Sequence, residues 1–334
     1  MAGQLGRTSQ RQANLLCFRD LDEFGPTIIA AADQLGISPT AVEKDYWATQ
    51  VLLALQRGFG SDFVFKGGTS LSKGYGILER FSDDLDILVL PRGRGKGSTD
   101  RLMKSMGQAA AEAAGGQAQG YGGSETGIHR AYRVSYPAVH EPTDAIATSV
   151  LLEMGVRGGP NPREQVSISG LLSAALAAAD TDLREYDDLS PFEVALLHPG
   201  RTLLEKLYVI DGLARKVSAG KLNTEKLRRN GRHFYDVHKL LGSQQVLDLL
   251  ADGDLVEQIM TSIEETSQEQ FQATEELRPA GGFAASEAFA SDSDVSRQMR
   301  RAYERIMPAL YFGADPLPEW DDICARVQTY RDLL

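Results

Sequence analysis

A chain of 334 residues with 42% apolar and 24% charged residues has the composition of a globular protein of about two domains, each able to bury a core. It holds no apolar run near the roughly 20 residues of a membrane span, and its first residues, MAGQLGRTSQRQANLLCF, lack the apolar stretch of a secretory leader, so the expected location is the cytoplasm. A net charge of −11 argues against a protein that coats nucleic acid, and two distant cysteines, Cys17 and Cys324, suggest neither a zinc site nor a disulfide framework.

Residues 1–15 are polar and read as a frayed tail. Leu21 to Arg57 follows a helical period, first through the stripe Ile28, Ile29, Ala32 and Leu35. Ser38-Pro39 then opens a second helix with Val42, Tyr46 and Leu53 on its apolar face. Asp62–Phe65 predicts a short strand ending at Gly67-Gly68, Thr69–Leu78 a helix, and Leu85–Leu90 a buried strand closed by Pro91. Residues 92–99 read as a loop, Asp100–Ala114 as a helix, and the glycine-rich residues 115–127 as a flexible connection. Strands follow at His129–Tyr136, Ala147–Val156 and Gln165–Ile168, then a helix at Leu171–Ala179 and a strand at Phe192–Leu197.

Beyond Pro199 the pattern is helix after helix, with Glu264–Gln298 expected to be exposed and only partly ordered, and a closing helix within Pro318–Leu334. Strands broken by single helices favour an α+β fold over a regular doubly wound sheet. The implied organisation is an N-terminal helical region (1–60), an α+β core (61–198) and a helical C-terminal part (199–334).

Two neighbouring segments carry the chemistry. In Phe63-Val-Phe-Lys-Gly-Gly-Thr-Ser-Leu-Ser-Lys73 a strand runs into two glycines and a helix start. Lys66, Gly67, Gly68, Thr69 and Ser70 would let a phosphate approach the main chain, with hydroxyls of Thr69, Ser70 and Ser72 as further donors. The plainer alternative is a turn with Thr69 or Ser70 as helix cap. Arg80-Phe-Ser-Asp-Asp-Leu-Asp86 follows. Residues two apart on a strand share a face, so Asp84 and Asp86 present their carboxylates together at the start of an apolar strand. Two such acids repel in a buried setting, and a divalent cation resolves the conflict; Mg²⁺ typically takes one or two carboxylates together with substrate phosphates.

Glu153, inside Ser149-Val-Leu-Leu-Glu-Met-Gly-Val156, is the candidate third carboxylate and base, or else a strand-end acid facing water. Ser82 shares the face of Asp84. Lys206 borders the apolar stripe of Leu203, Leu207 and Ile210, where it either snorkels or reaches triphosphate oxygens. Asp236 either pairs with Arg232 or Lys239 along its own helix, or positions Lys206 or a metal-bound water. From Arg201 to Lys239 ten Lys/Arg face four acids, which suggests a local basic surface or a solvated helical face.

Taken together these residues resemble the AbiEii family of nucleotidyltransferase toxins, MenT-like members included. The Lys66-Gly-Gly-Thr-Ser-Leu-Ser72 turn with Arg80–Asp86 is similar to the family's first motif. Leu204-Glu-Lys-Leu207 is similar to its lysine motif and Arg232-His-Phe-Tyr-Asp236 to its closing aspartate motif. The resemblance spans about Asp62 to Leu241 and implies a polymerase-β-like nucleotidyltransferase core, a mixed sheet with helices, plus a helical C-terminal half. It also implies Ser82, Asp84, Lys206 and Asp236 as the essential set, two Mg²⁺ with an NTP as substrate, the 3′ end of tRNA as acceptor, and a winged-helix antitoxin as partner. The chain departs from compact members in its longer C-terminal part and its acidity. Transfer to a protein or small-molecule hydroxyl, a kinase-like activity and a non-catalytic nucleotide sensor are the competing readings.

Overall fold

The computed structural model describes residues 16–82, 84–142, 146–221, 224–271, 278–291 and 293–334. The tail at 1–15, Asp83 of the acidic motif and residues 272–277 and 292 of the Glu264–Gln298 segment lie outside the described residues.

Two helices open the fold, α1 (Phe24–Leu35) and α2 (Pro39–Phe59). Pro39 suits a first helical turn because its missing N–H would have no partner there, and the Ser38 hydroxyl accepts from the Ala41 N–H at 3.2 Å. The stripe on α1 is narrower than expected. Phe24, Ile28, Ala31 and Ala32 are buried, whereas Ile29 and Leu35 face solvent. One residue is about 100° of helix, enough to carry Ile29 off the packed face.

Among the described residues seven strands join one mixed sheet: β1 (Phe63–Lys66), β2 (Asp84–Val89), β3 (Ala118–Gly120), β4 (His129–Ser135), β5 (Ser149–Gly155), β6 (Arg163–Ile168) and β7 (Phe192–Leu197), in spatial order β3-β4-β5-β2-β1-β7-β6. Central β2 lies between antiparallel β1 and parallel β5. The alternation of β2 divides its residues sharply. Leu85, Ile87 and Val89 are buried in a core shared with α1, α2, α4 (Lys96–Ala114) and α5 (Leu171–Ala178). Asp84, Asp86 and Leu88 take the opposite face, where Leu88 joins Val64 and Leu197. The helices of residues 1–60 thus pack into the same core as the sheet.

Three boundaries differ from the sequence pattern. Residues 115–127, expected as a flexible connection, contain β3, which pairs with β4 through main-chain groups that glycine-rich sequence still supplies. α4 starts at Lys96, inside the stretch expected as loop. The helix after the glycine turn, α3 (Gly67–Lys73), stops at Gly74 instead of reaching Leu78.

The C-terminal part contains α6 (Pro199–Ser218), α7 (Thr224–Asn230), α8 (Arg232–Leu240), α9 (Gln244–Ala251), α10 (Gly253–Phe271), α11 (Asp294–Leu310) and α12 (Trp320–Thr329). They build a second core around Leu203, Leu207, Phe234, Tyr235, Tyr303 and Trp320. Phe283, Ala288 and Phe289 are buried in it, so the described part of Glu264–Gln298 is more ordered and less exposed than expected. These few aromatic anchors secure a segment whose other residues are polar. A short antiparallel seam ties this part to the approach of β2. Phe81 N–H donates to Leu310 O at 2.8 Å, and Phe312 N–H to Glu79 O at 3.1 Å.

Candidate active site

The sheet register assembles the site. Asp86 pairs with Lys66 of β1 on one side and Glu153 of β5 on the other. Directly paired residues share a face and stand one strand spacing, about 4.8 Å, apart. Lys66, Asp86 and Glu153 therefore form a row across three strands, with Asp84 two residues along from Asp86 on the same face. Asp84, with its side chain 20% exposed, lies 3.7 Å from Arg232 at the start of α8.

Crowding shows in the protonation of these acids. Burial, opposed by Lys66, Arg232, Lys206 and Arg80, raises the Asp86 carboxyl above its ordinary value. Burial, then the charges of Asp86 and Asp84, push Glu153 up to about 7. Burial penalises both charges, and at Glu153 the neighbouring acids add to it. Among the described residues no group of three or more His, Cys, Asp or Glu side chains is arranged to hold a metal ion, so Glu153 does not join Asp84 and Asp86 as the expected third ligand. The two half-buried carboxylates Asp84 and Asp86 fit a hard cation that completes its shell from substrate oxygens.

The glycine turn makes room for functional side chains. Gly67 has φ +78°, and a Cβ there would fall 1.9 Å from Asp86 Oδ2. A Cβ on Gly68 would come within 2.7 Å of the Arg80 guanidinium and 3.0 Å of Ser82 Oγ. The hydroxyls after the turn depart from expectation. Thr69 Oγ1 donates to Asp84 O at 2.7 Å, Ser70 Oγ to Gly67 O at 2.9 Å and Ser72 Oγ to Thr69 O at 3.2 Å. With Thr69 and Ser70 buried, these hydroxyl protons brace the turn and the start of β2 instead of pointing toward a ligand.

Opposite the carboxylates lies a buried charge cluster. Asp236, wholly buried on α8, receives two bonds from Arg80, Nε to Oδ1 at 2.6 Å and Nη2 to Oδ2 at 2.8 Å. Lys206 Nζ, buried on α6, stands 2.7 Å from the same Oδ2. Burial alone would raise the Asp236 carboxyl; Arg80 and Lys206 overcome that and hold it well below the usual range. Burial also draws the Lys206 ammonium below its usual range, partly offset by Asp236.

Asp236 thus does position Lys206. With both oxygens committed and no exposure, it is not placed to hold a metal-bound water. Along its own helix it faces His233, Nδ1 to Oδ2 at 3.8 Å, and not the expected Arg232 or Lys239. Lys239 goes to Glu79 at 2.8 Å and Arg232 to Asp84.

His233 completes the cluster in a definable tautomer. Asn230 Nδ2 donates to Lys226 O at 2.7 Å, which turns Asn230 Oδ1 toward His233 Nε2 at 3.0 Å. Nε2 must carry the proton, leaving the Nδ1 lone pair to accept from Lys206 Nζ at 3.3 Å. Burial and Lys206 lower the imidazole to about 4, so it stays neutral at pH 7.

Of the sequence-predicted residues, Lys66, Asp84, Asp86 and Glu153 share one face of the sheet, Gly67, Gly68 and Ser82 border it, Lys206 and Asp236 pair beside it, and the hydroxyls of Thr69 and Ser70 turn to the main chain. Arg80, Arg232 and His233 join them without standing among the expected site residues, although each lies in a motif that carries the resemblance. Nothing in the spacing of Arg80 points to an acid 156 residues away. The ten cations from Arg201 to Lys239 do not share one face: Arg201 and Lys206 are buried, Arg228 and Arg229 pair with Glu225, and Lys216 and Lys221 are exposed.

A row of carboxylates beside a glycine turn, with buried cations facing it on an α+β scaffold, defines a nucleotidyltransferase. The chain belongs to the AbiEii family: the model of the nucleotidyl transferase AbiEii toxin of type IV toxin–antitoxin systems matches residues 50–326. A nucleotide substrate and an antitoxin partner come with that membership. No curated protein matches the chain. Among solved structures, MenT4, a nucleotidyltransferase toxin from Mycobacterium tuberculosis H37Rv, shares the fold with a TM-score of 0.57 at 19% identity, over 92% of this chain and 88% of the other. No helix among the described residues is long and apolar enough to cross a membrane.

Proposed function

We propose that the enzyme transfers a nucleoside monophosphate from an NTP to the 3′ end of a tRNA in a Mg²⁺-dependent reaction, and that a winged-helix antitoxin neutralises it. The observation that carries the reading is the register of Asp86 with Glu153 on one side and Lys66 on the other, under Lys206 and Arg232.

Asp84 and Asp86 would hold the Mg²⁺ ions, which supply charge stabilisation for the attacking and leaving oxygens of an in-line displacement. The chain's own groups do the rest. Lys206, fixed by Asp236 and His233, directs its remaining proton toward the cleft and offsets triphosphate charge. Arg232 and Lys66 add positive charge on either side of Asp86. Main-chain N–H groups in the first turn of α3 lack partners within that helix and suit β- and γ-phosphate oxygens. Ser82, at the turn, stands near the same oxygens. Glu153, paired in register with Asp86, is placed to accept the proton of the attacking hydroxyl.

The test is incubation of the protein with each α-³²P-labelled NTP and total RNA, with and without Mg²⁺. Label on tRNA-sized RNA that requires Mg²⁺ supports the proposal. Label on protein, or transfer only from γ-labelled NTP, overturns it in favour of another acceptor or a kinase activity.

A further inference from the structure

A cavity of about 580 Å³ opens at the Asp84 end of the carboxylate row, bounded by Asp84, Ser82 and Thr69. Its walls come from the α1–α2 junction, the approach to β2, the start of α5 and the end of α11. They are largely apolar: Ile37, Leu78, Phe81, Leu171, Leu310 and Phe312. The Lys73 charge on the wall is already met by Asp45, whose other oxygen accepts from Leu171 N–H at 2.7 Å. Lys44 lies over the Phe81 ring, 5.8 Å from its centre. Such a wall suits an uncharged planar group with polar edges, not a phosphate. The volume lies within the range of small-molecule sites, and a nucleoside would fit.

The seam to the C-terminal part shapes this cavity. Pairing of Arg80 with Tyr311 puts Phe81 and Phe312 on the same side of the two-stranded seam, as diagonal neighbours. Phe312 is 44% exposed, an uncovered ring beside a recess.

Two of the cations that act on Asp86, Lys66 and Lys206, stand apart from the cavity; Arg232 reaches Asp84 at its edge, and Arg80, held by Asp236, belongs to its wall. In an in-line displacement the attacking hydroxyl and the departing pyrophosphate lie on opposite sides of the phosphorus. A leaving group drawn to Lys66 and Lys206 leaves the cavity side to the acceptor.

We propose that this cavity is the subsite for the terminal nucleobase of the acceptor strand, seated against Phe81 and Phe312 so that its ribose hydroxyl reaches Asp84. The proposal rests on the nucleotidyl-transfer reading above. Base–aromatic stacking is sequence-tolerant, so the subsite recognises that a base is present more than which base it is.

The experiment measures steady-state transfer by the full chain to an RNA acceptor and to the same RNA with an abasic terminal nucleotide. The variants are Phe312→Ala, the conservative Phe312→Tyr, and Ala174→Trp, which fills the cavity from an exposed position on α5. Wild type should use the abasic acceptor with about tenfold higher KM. Phe312→Ala and Ala174→Trp should raise KM for the intact acceptor by about the same factor, lose discrimination against the abasic one, and keep KM for NTP within about twofold. Phe312→Tyr should behave as wild type. A parallel rise in KM for NTP would assign the cavity to the incoming nucleotide and overturn the proposal, as would unchanged acceptor kinetics in both variants. Absence of any transfer to RNA by wild type would instead refute the reading on which the proposal rests.

Discussion

Two groups of recessed carboxylates face each other across the cleft, and burial affects them with opposite outcomes. Asp86 is raised by burial, which the surrounding cations only partly offset, and Glu153 by burial together with the charges of Asp86 and Asp84. Asp236 is more deeply buried, yet it is lowered because Arg80 and Lys206 bond to it directly. Depth alone therefore does not decide a buried acid's charge; whether the chain supplies the counter-charge does. The first group is arranged to receive positive charge from outside, the second to fix positive charge in place.

The largest effect expected from that contrast is on stability. Asp236→Ala strands two buried cations and should cost about 3–5 kcal/mol, read as a lower urea midpoint, with transfer lost as well. Asp86→Asn should separate the two properties: transfer falls by about 10²–10³, while the thermal midpoint holds or rises because a penalised charge is gone. A comparable loss of stability in both variants would break the comparison.

Glu153 sharpens it through pH. Its folded value, about 7, lies above the unfolded value of 4.5, so the folded form binds more protons between these limits. Stability from this group is complete below about pH 4.5 and is lost as pH rises through 7. With EDTA present, the midpoint should decline across that window; Glu153→Gln should flatten the decline, and added Mg²⁺ should shift it to lower pH. The smallest effect concerns salt. If Arg232 and the exposed Lys216 and Lys221 meet acceptor phosphates, the affinity for RNA should fall with salt, with each substitution to Gln reducing the log–log slope by about one.

Much of the site was legible because it is local. Ser38-Pro39, the Gly67-Gly68 turn and the Asp84/Asp86 alternation each express a rule that acts over a few residues. Glu153 was legible as an acid in an apolar strand, although only the register shows that it lies opposite Asp86. What escaped notice depends on contacts distant in sequence. The Arg80–Asp236 clamp, the burial of Phe283 and Phe289, and β3 in a glycine-rich stretch are all decided by partners that no local pattern names. The hydroxyls of Thr69 and Ser70 misled for the converse reason. Their residue type suits a phosphate, but main-chain carbonyls are closer.

The seam between Glu79–Phe81 and Leu310–Phe312 also bears on synthesis. The strand that carries the acids is made early, its opposing cations only with α6 and α8, and the segment clasping Glu79–Phe81 later still. A ribosome making this chain therefore releases the acids well before the Lys206 and Arg232 that complete their surroundings, and the finished site is a late event of synthesis.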